Sequence, residues 1–120
     1  MPSRRKKVVP FRYWESSKVD GIEKRYIRLG NSQMLSKAML GLSNAAFRVY
    51  ICMRLEAGDK PEFEYPYRKY KIYMSRPTFG KAVEELETAG FIKLVSSGKN
   101  TRQPNIYRFI DGWKTYNPDP

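Results

Sequence analysis

Apolar residues recur at helical spacing in two long segments of the chain. In residues 42–58 the apolar stripe consists of Ala46, Val49, Tyr50, Met53 and Ala57. In residues 75–90 it consists of Phe79, Ala82, Val83, Leu86 and Ala89. Each predicted helix follows a serine suited to an N-cap and stops at a glycine. These residues are Ser43 and Gly58 for the first helix, and Ser75 and Gly90 for the second. The pattern predicts two helices that each bury one face.

Shorter elements are expected before and between these two helices. Residues 26–40 start with an extended piece and continue with a helical pattern. The apolar face of that helix is predicted to hold Met34, Leu35, Ala38 and Met39. The sequence EFEY at 62–65 is typical of a short strand, and residues 67–72 predict a short helix with Tyr67 and Tyr70 on one side.

The end of the chain predicts a β-hairpin. Residues 91–97 and 106–110 have the pattern of two strands, and residues 98–105 between them have turn chemistry throughout. Trp113 is expected to pack back onto the body. The fold class is therefore mainly α with a small antiparallel β-hairpin, an α+β fold. The expected organisation is a flexible basic arm at 1–25, a folded domain at 26–113 and a tail at 114–120.

The helix predicted in residues 42–58 has a second apolar stripe beside the first. It consists of Phe47, Ile51 and Leu55. A helix that is apolar over so much of its circumference is deeply buried or serves a further partner. Two interpretations remain open, burial under the N-terminal segment and a homodimer seam.

The charge of the chain indicates a polyanionic partner. Lysine and arginine number 23 against 12 acidic residues, which gives a net charge of +11 and a pI near 9.9. Residues 1–30 hold nine basic and three acidic residues, including the run of Arg4, Arg5, Lys6 and Lys7. This run is either a solvated leader or an arm that contacts phosphates. For a protein with this excess of basic residues, nucleic acid is the favoured partner.

The composition also excludes several function classes. The sequence has no histidine, and its one cysteine is Cys52. Nucleophilic catalysis through histidine and structural zinc sites are therefore excluded. We expect no enzymatic activity, no cofactor, no metal and no small-molecule substrate. No stretch has the about 18 apolar residues of a membrane span, so we expect no membrane partner and a cytoplasmic protein.

Three segments together resemble the winged helix-turn-helix family. They are LSKAMLGLSNAAFRVYICM (35–53), MSRPTFGKAVEELETAGFIKLV (74–95) and RQPNIYRFIDGW (102–113). The chain looks like the small helix-turn-helix proteins of bacterial phages, plasmids and conjugative elements, including the N-terminal domains of plasmid replication initiators. The resemblance covers about residues 26–113. It departs from the family at Tyr73, because the turn between the two helices often holds glycine.

The resemblance implies a double-stranded DNA-binding protein, either a transcriptional regulator or a replication-associated factor of a mobile element. Its recognition helix, about 76–89, would enter the major groove. The residues implied there are Arg76, Pro77, Thr78, Gly80, Lys81 and Glu84. Arg76 and Thr78 are candidates for base edges, and Glu84 is a candidate acceptor for cytosine N4. Positive charge at the start of this helix, where the dipole is already positive, is expected if that end meets phosphate.

Basic residues outside the recognition helix are implied to contact the DNA backbone. They precede that helix or lie in the wing at about 98–105, and they are Arg68, Lys69, Lys71, Lys99, Asn100 and Arg102. Such contacts position a protein without reading sequence. Two alternatives remain. One is a winged-helix module for protein interaction or homodimerisation, and the other is a single-stranded nucleic-acid binder that stacks bases on the tyrosines of YPYRKYKIY (65–73).

Overall fold

The computed structural model describes Arg12, Trp14 and residues 25–99 and 102–118. The DNA contacts predicted at Arg4, Arg5, Lys6, Lys7 and Asn100 lie outside these residues. In chain order the helices and strands are α1 (Asn31–Met34), α2 (Lys37–Leu40), α3 (Asn44–Ala57), β1 (Glu62–Glu64), α4 (Tyr67–Tyr70), α5 (Arg76–Thr88), β2 (Ile92–Ser96) and β3 (Ile106–Phe109). A 3-10 turn at Gly112–Lys114 follows. The described residues have an α+β fold, as expected.

The two long helices form where the sequence predicts them. The Ser43 hydroxyl accepts a hydrogen bond from the Ala46 backbone N–H at 3.1 Å and caps α3. The Ser75 hydroxyl accepts one from the Thr78 N–H at 3.4 Å and caps α5. All ten residues of the two predicted stripes are buried, and α3 packs against α5. The core is therefore built on the two predicted faces.

Gly90 ends α5 under two constraints that both require glycine. Its φ of 84° lies in the left-handed region, which side chains other than glycine rarely adopt. A Cβ there would lie 2.5 Å from the backbone carbon of Gly112. The chain crosses back at this point, and the Trp113 N–H donates to the Gly90 carbonyl at 3.0 Å. Trp113 packs on Phe91, as predicted, with ring centroids 6.4 Å apart.

The prediction of one helix before Gly41 is wrong in detail. Residues 31–40 form α1 and α2 as separate short helices, because Ser36 caps the second one. Its hydroxyl accepts a hydrogen bond from the Met39 N–H at 3.1 Å. Leu35, which was expected on the buried face, falls at the break and is 70% exposed.

The predicted hairpin is present and belongs to a three-stranded antiparallel sheet. The strand order is β1-β3-β2, so that β3 is central. Ile92 faces Phe109 on β2 and β3, and Phe63 faces Tyr107 on β1 and β3. The sequence predicts β1 as a strand but does not predict its pairing with the hairpin. The helix predicted at 67–72 is α4, which is shorter and is followed by a turn.

The second apolar stripe of α3 is half-buried. Phe47 and Ile51 pack against the core, and Leu55 is also partly exposed. The chain before α1 reaches the C-terminal half of α3, where an Arg54 side-chain N–H donates to the Arg28 carbonyl at 3.1 Å. Both interpretations of this stripe remain predictions. The predicted boundaries of arm, domain and tail also remain predictions, although Tyr116 packs against the core.

Candidate nucleic-acid interface

The outward face of α5 carries the predicted groove-reading residues together. All of them are exposed, and they are Arg76, Pro77, Thr78, Gly80, Lys81 and Glu84. A Cβ placed on Gly80 meets nothing within 4 Å. No packing among the described residues therefore accounts for glycine at this position.

Arg76, at the first position of α5, is held by an aromatic ring. Its guanidinium carbon lies 4.2 Å from the centroid of the Tyr67 ring. Such cation–π contacts orient a guanidinium while leaving its N–H groups able to bind an anion. Among the described residues, no carboxylate lies within 4.0 Å of the Arg76 nitrogens. The charge is thus positioned without being neutralised.

A stack of buried rings fixes α4 against α5. The rings of Tyr70 and Phe79 lie 3.8 Å apart and nearly parallel, and the Tyr65 ring lies 6.0 Å from that of Phe79. These contacts position Tyr67, and therefore Arg76, relative to the start of α5. Because Tyr65 and Tyr70 are buried, they are not accessible for base stacking. Tyr67 is 41% exposed and differs from them in this respect.

Tyr73 stands in the turn between α4 and α5 and anchors it. Its hydroxyl shares a 2.7 Å hydrogen bond with that of Tyr65. Burial raises the pKa of Tyr65 to about 12, and burial followed by the hydrogen bond from Tyr65 raises the pKa of Tyr73. Both hydroxyls are neutral near pH 7. The Arg48 guanidinium of α3 lies 5.1 Å from the centroid of the Tyr73 ring. Tyr73 therefore joins the turn to α3, which a glycine at this position could not do.

The basic residues around α4 do not all have the same environment. Arg68 and Lys71 are exposed, as a phosphate contact requires. Lys69 instead forms an ion pair with Glu56 of α3, with 3.0 Å between its Nζ and the carboxylate. The sequence predicts that all three contact the DNA backbone. The ion pair gives Lys69 a partner within the fold. The spacing of charges along the sequence does not predict this pair.

The hairpin places Lys99 close to α4. Lys99 and Arg102 are exposed, and the Asn105 side-chain oxygen accepts a hydrogen bond from the Gly98 N–H at 2.8 Å across the hairpin base. A cavity of about 340 Å³ lies between the hairpin and the helices. We call it the hairpin cavity. It is lined by Tyr65, Pro66, Tyr67, Tyr70, Phe79, Gly98, Lys99, Gln103, Pro104, Asn105 and Tyr107.

Tyr67 links the two basic parts of the surface. It contacts Arg76 and also lines the hairpin cavity with Lys99. Of the predicted hairpin contacts, Lys99 therefore lies on the same side of the molecule as the start of α5. Sequence reasoning missed the role of Tyr67, because nothing in the spacing of Tyr67 and Arg76 marks a contact between them. The mixture of tyrosine and basic residues was the available signal.

Two neighbouring glutamates on α5 have different roles. The Glu85 carboxylate accepts hydrogen bonds from the Ser43 N–H at 3.0 Å and from the Ser43 hydroxyl at 2.6 Å. It thereby joins α5 to the start of α3. Glu84 is exposed, and burial followed by the charge of Glu84 raises the pKa of the Glu87 carboxyl. Sequence reasoning identified Glu84 as a site candidate and missed the structural role of Glu85.

A second cavity lies at the other end of the outward face. It measures about 530 Å³, and Lys81, Glu84 and Thr88 of α5 line it together with Tyr116 and Pro118. The C-terminal residues thus border the later turns of α5. The first turn, with Arg76 and Thr78, is not part of this lining.

Residues 25–99 and 102–118, with Arg12 and Trp14, contain no group of three or more potential metal ligands. Within the same residues no helix has both the length and the apolar character to cross a membrane. Comparison with family models, curated proteins and solved structures finds no match to this chain.

Proposed function

We propose that this chain is a winged helix-turn-helix protein that binds double-stranded DNA. In this proposal α4 and α5 are the helix-turn-helix, α5 enters the major groove and residues 98–105 form the wing. The observation that carries it is Arg76, a guanidinium held on the Tyr67 ring at the exposed start of α5 without a carboxylate partner among the described residues. Its ligand is an anion that approaches from outside.

The positive charge at the N-terminal end of α5 supports duplex DNA as that anion. The positive end of the helix dipole favours an anion at the start of α5, and Arg76 adds a positive charge there. Lys81 is exposed about 1.4 turns further along α5, and the bare backbone at Gly80 lies between it and Arg76. A groove-binding helix needs close approach of its backbone and polar side chains that reach base edges. Thr78 and Glu84 supply such side chains.

The biological role that we propose is transcriptional regulation or replication of a bacterial mobile element, in the cytoplasm. It rests on the sequence resemblance and on the net charge of +11. A regulator of this class binds a defined operator. Selection of duplexes from random oligonucleotides is therefore the first experiment, and a palindromic motif would indicate that a homodimer binds.

The direct test removes the two positive charges of the outward face. We expect Arg76→Ala with Lys81→Ala to weaken binding of the selected duplex at least about tenfold and to reduce the dependence of affinity on salt, because each phosphate contact contributes about one unit to the salt slope. Lys60→Ala is the matched control, since Lys60 is exposed in the turn after α3. Equal affinity of the double variant and the control, measured by fluorescence anisotropy, would contradict the proposal.

The ion pair of Lys69 gives a second comparison in the same assay. Lys71→Ala should lower the salt slope by about one unit, while Lys69→Ala should change it little because the Lys69 ammonium is paired with Glu56 instead of with a phosphate. An equal effect of the two substitutions would argue against the proposed orientation of α4.

A protein-interaction function is the second candidate. The observation that favours it is the edge strand β2, on which Leu94 and Val95 are 42% and 44% exposed. Exposed apolar side chains on an edge strand are suited to pairing with another chain. Light scattering of the protein and of Leu94→Lys distinguishes the candidates, because a wild-type monomer at high concentration would exclude self-association through this strand.

A further inference from the structure

We propose that the hairpin cavity receives a single nucleotide turned out of the DNA stack. This inference rests on the proposed function and adds a ligand class to it. At about 340 Å³ the cavity lies at the small end of the range of roughly 300–1,000 Å³ that is usual for ligand sites. Paired and stacked bases of a duplex cannot enter a space of this size. A base can enter only after it leaves the stack, as in base flipping.

The walls of the cavity are suited to a base. Tyr67, which is 41% exposed, supplies the accessible aromatic surface, and the buried rings of Tyr70, Phe79 and Tyr107 lie behind it. Aromatic side chains bind unpaired bases by stacking, whatever the base, because every base has a π-face. The stack of Tyr70 on Phe79 makes this surface rigid. A rigid wall lowers the entropy lost when a planar ligand is bound.

The polar groups of the cavity are suited to reading the edge of a base. Asn105 is already engaged, since its oxygen accepts from the Gly98 N–H and its nitrogen donates to the Tyr107 hydroxyl at 3.4 Å. Gln103 lines the cavity, is exposed and has no side-chain hydrogen bond to any described residue. Its amide carries both donors and an acceptor. Gln103 is therefore the side chain that would select among bases.

The charges around the cavity favour a nucleotide over a peptide side chain. None of the eleven lining residues is acidic, and Lys99 is among them. Arg76 lies on the ring of Tyr67, another lining residue. Phosphate groups on either side of an extruded nucleotide would meet these two cations. Because the cavity also lies between the hairpin and the start of α5, a duplex bound to both would pass its backbone along the opening.

The test uses the full chain and two forms of one selected duplex. One form is fully paired, and the other carries a single unpaired 2-aminopurine, whose fluorescence falls when it stacks. We expect the bulged form to bind about tenfold more tightly and its fluorescence to fall on binding. Equal affinities with unchanged fluorescence would overturn the inference and leave the proposed function intact. Binding of neither form would overturn both.

Two variants locate the unpaired base. Gln103→Ala should reduce the preference for the bulged form and retain binding of the paired form, because the Gln103 side chain has no bond within the described fold. Tyr67→Leu should also reduce the preference, measured as the ratio of the two affinities. Asn44→Ala, an exposed amide on α3 outside the cavity, is the control. A ratio unchanged in both cavity variants would place the base elsewhere and overturn the inference.

Discussion

Arg76 occupies a position where its own helix disfavours it. A cation in the first turn opposes the helix dipole, at a cost of about 0.3–1 kcal/mol. The contact with the Tyr67 ring is worth about 0.5–1 kcal/mol at an exposed site and offsets much of that cost. The fold thus tolerates the arginine without a carboxylate partner among the described residues. The arginine contributes little to folding, which leaves its charge available to an external anion.

Arg76→Lys separates the charge from the shape of the side chain. Lysine keeps the positive charge but lacks the planar group that stacks on Tyr67 and binds two acceptors at once. We expect the variant to bind duplex DNA about threefold to tenfold more weakly, with an unchanged salt slope. Anisotropy titrations at several salt concentrations measure both quantities. Wild-type affinity in the variant would mean that the guanidinium geometry contributes nothing to binding.

Helix α5 has a buried face and an exposed face, and the two faces suit different residue types. The buried face needs volume, and its Phe79 and Leu86 pack into the core. The outward face includes Gly80, which has the lowest helix propensity of the ordinary residues apart from proline. Since an added Cβ there meets no atom within 4 Å, the fold gains nothing from this glycine. A ligand that approaches the helix backbone closely would explain the glycine at position 80.

Gly80→Ala tests this explanation by moving stability and affinity in opposite directions. Alanine should raise the free energy of unfolding by up to about 1 kcal/mol, from helix propensity alone. The new methyl group should lower DNA affinity, because it separates the helix backbone from the groove. Urea denaturation and duplex titration measure the two effects. A variant that is more stable and binds as tightly as wild type would refute the close approach.

The elements that sequence predicts well are those determined by local chemistry. Serine caps, glycine ends and apolar stripes of α3 and α5 depend on residues within one or two turns. The prediction for Leu35 fails because its neighbour Ser36 is not inside a helix. The Ser36 hydroxyl instead caps the start of a new helix. Apolar periodicity alone does not distinguish a helix interior from a break of this kind.

Contacts between distant elements were not predictable in the same way. The pairing of β1 with β3, the bond of Glu85 to Ser43 and the ion pair of Lys69 with Glu56 join segments that are far apart in sequence. Each depends on the angle at which helices and strands pack. For the candidate site, the outward residues of α5 followed from the helical period, while the support of Arg76 by Tyr67 did not.

Glu84 and Glu85 offer a matched pair at the level of helix packing. Glu85→Ala should lower the free energy of unfolding by about 1–2 kcal/mol, because it removes two hydrogen bonds that join α5 to the start of α3. Glu84→Ala should change it by less than about 0.5 kcal/mol, as is usual for an exposed side chain. Chemical denaturation of both variants checks this. Equal destabilisation would show that the Glu85 bonds contribute nothing to stability.

On the scale of the whole molecule, buried tyrosines connect the elements that carry the site. Tyr65 follows β1, Tyr70 ends α4, and Tyr107 lies at the centre of β3. Burial is the main cause that raises the pKa of each of these hydroxyls above the ordinary value of about 10. The rings hold the hairpin, α4 and α5 in one arrangement. Loss of that arrangement would separate the hairpin from the start of α5.

The raised pKa values predict how stability changes in alkali. An acid whose pKa is higher in the folded state binds its proton more tightly there, so folding is favoured fully below the unfolded pKa near 10 and less as pH rises. Up to about pH 10 we expect ionisation of these tyrosines to leave the free energy of unfolding unchanged. Between pH 10 and about 12, the pKa of Tyr65, we expect the free energy of unfolding to fall. Denaturant titrations across this range, followed by circular dichroism, measure the decline.

The double variant Tyr65→Phe with Tyr73→Phe tests the cause of that decline. It removes both partners of one hydrogen bond and leaves no unsatisfied hydroxyl, so stability at pH 7 should change by less than about 1 kcal/mol. Above pH 10 the variant should lose stability more slowly than wild type, because two groups with raised pKa are gone. Tyr26→Phe, at a tyrosine that is 52% exposed, is the control. A double variant that declines as steeply as wild type would assign the alkaline transition to other groups.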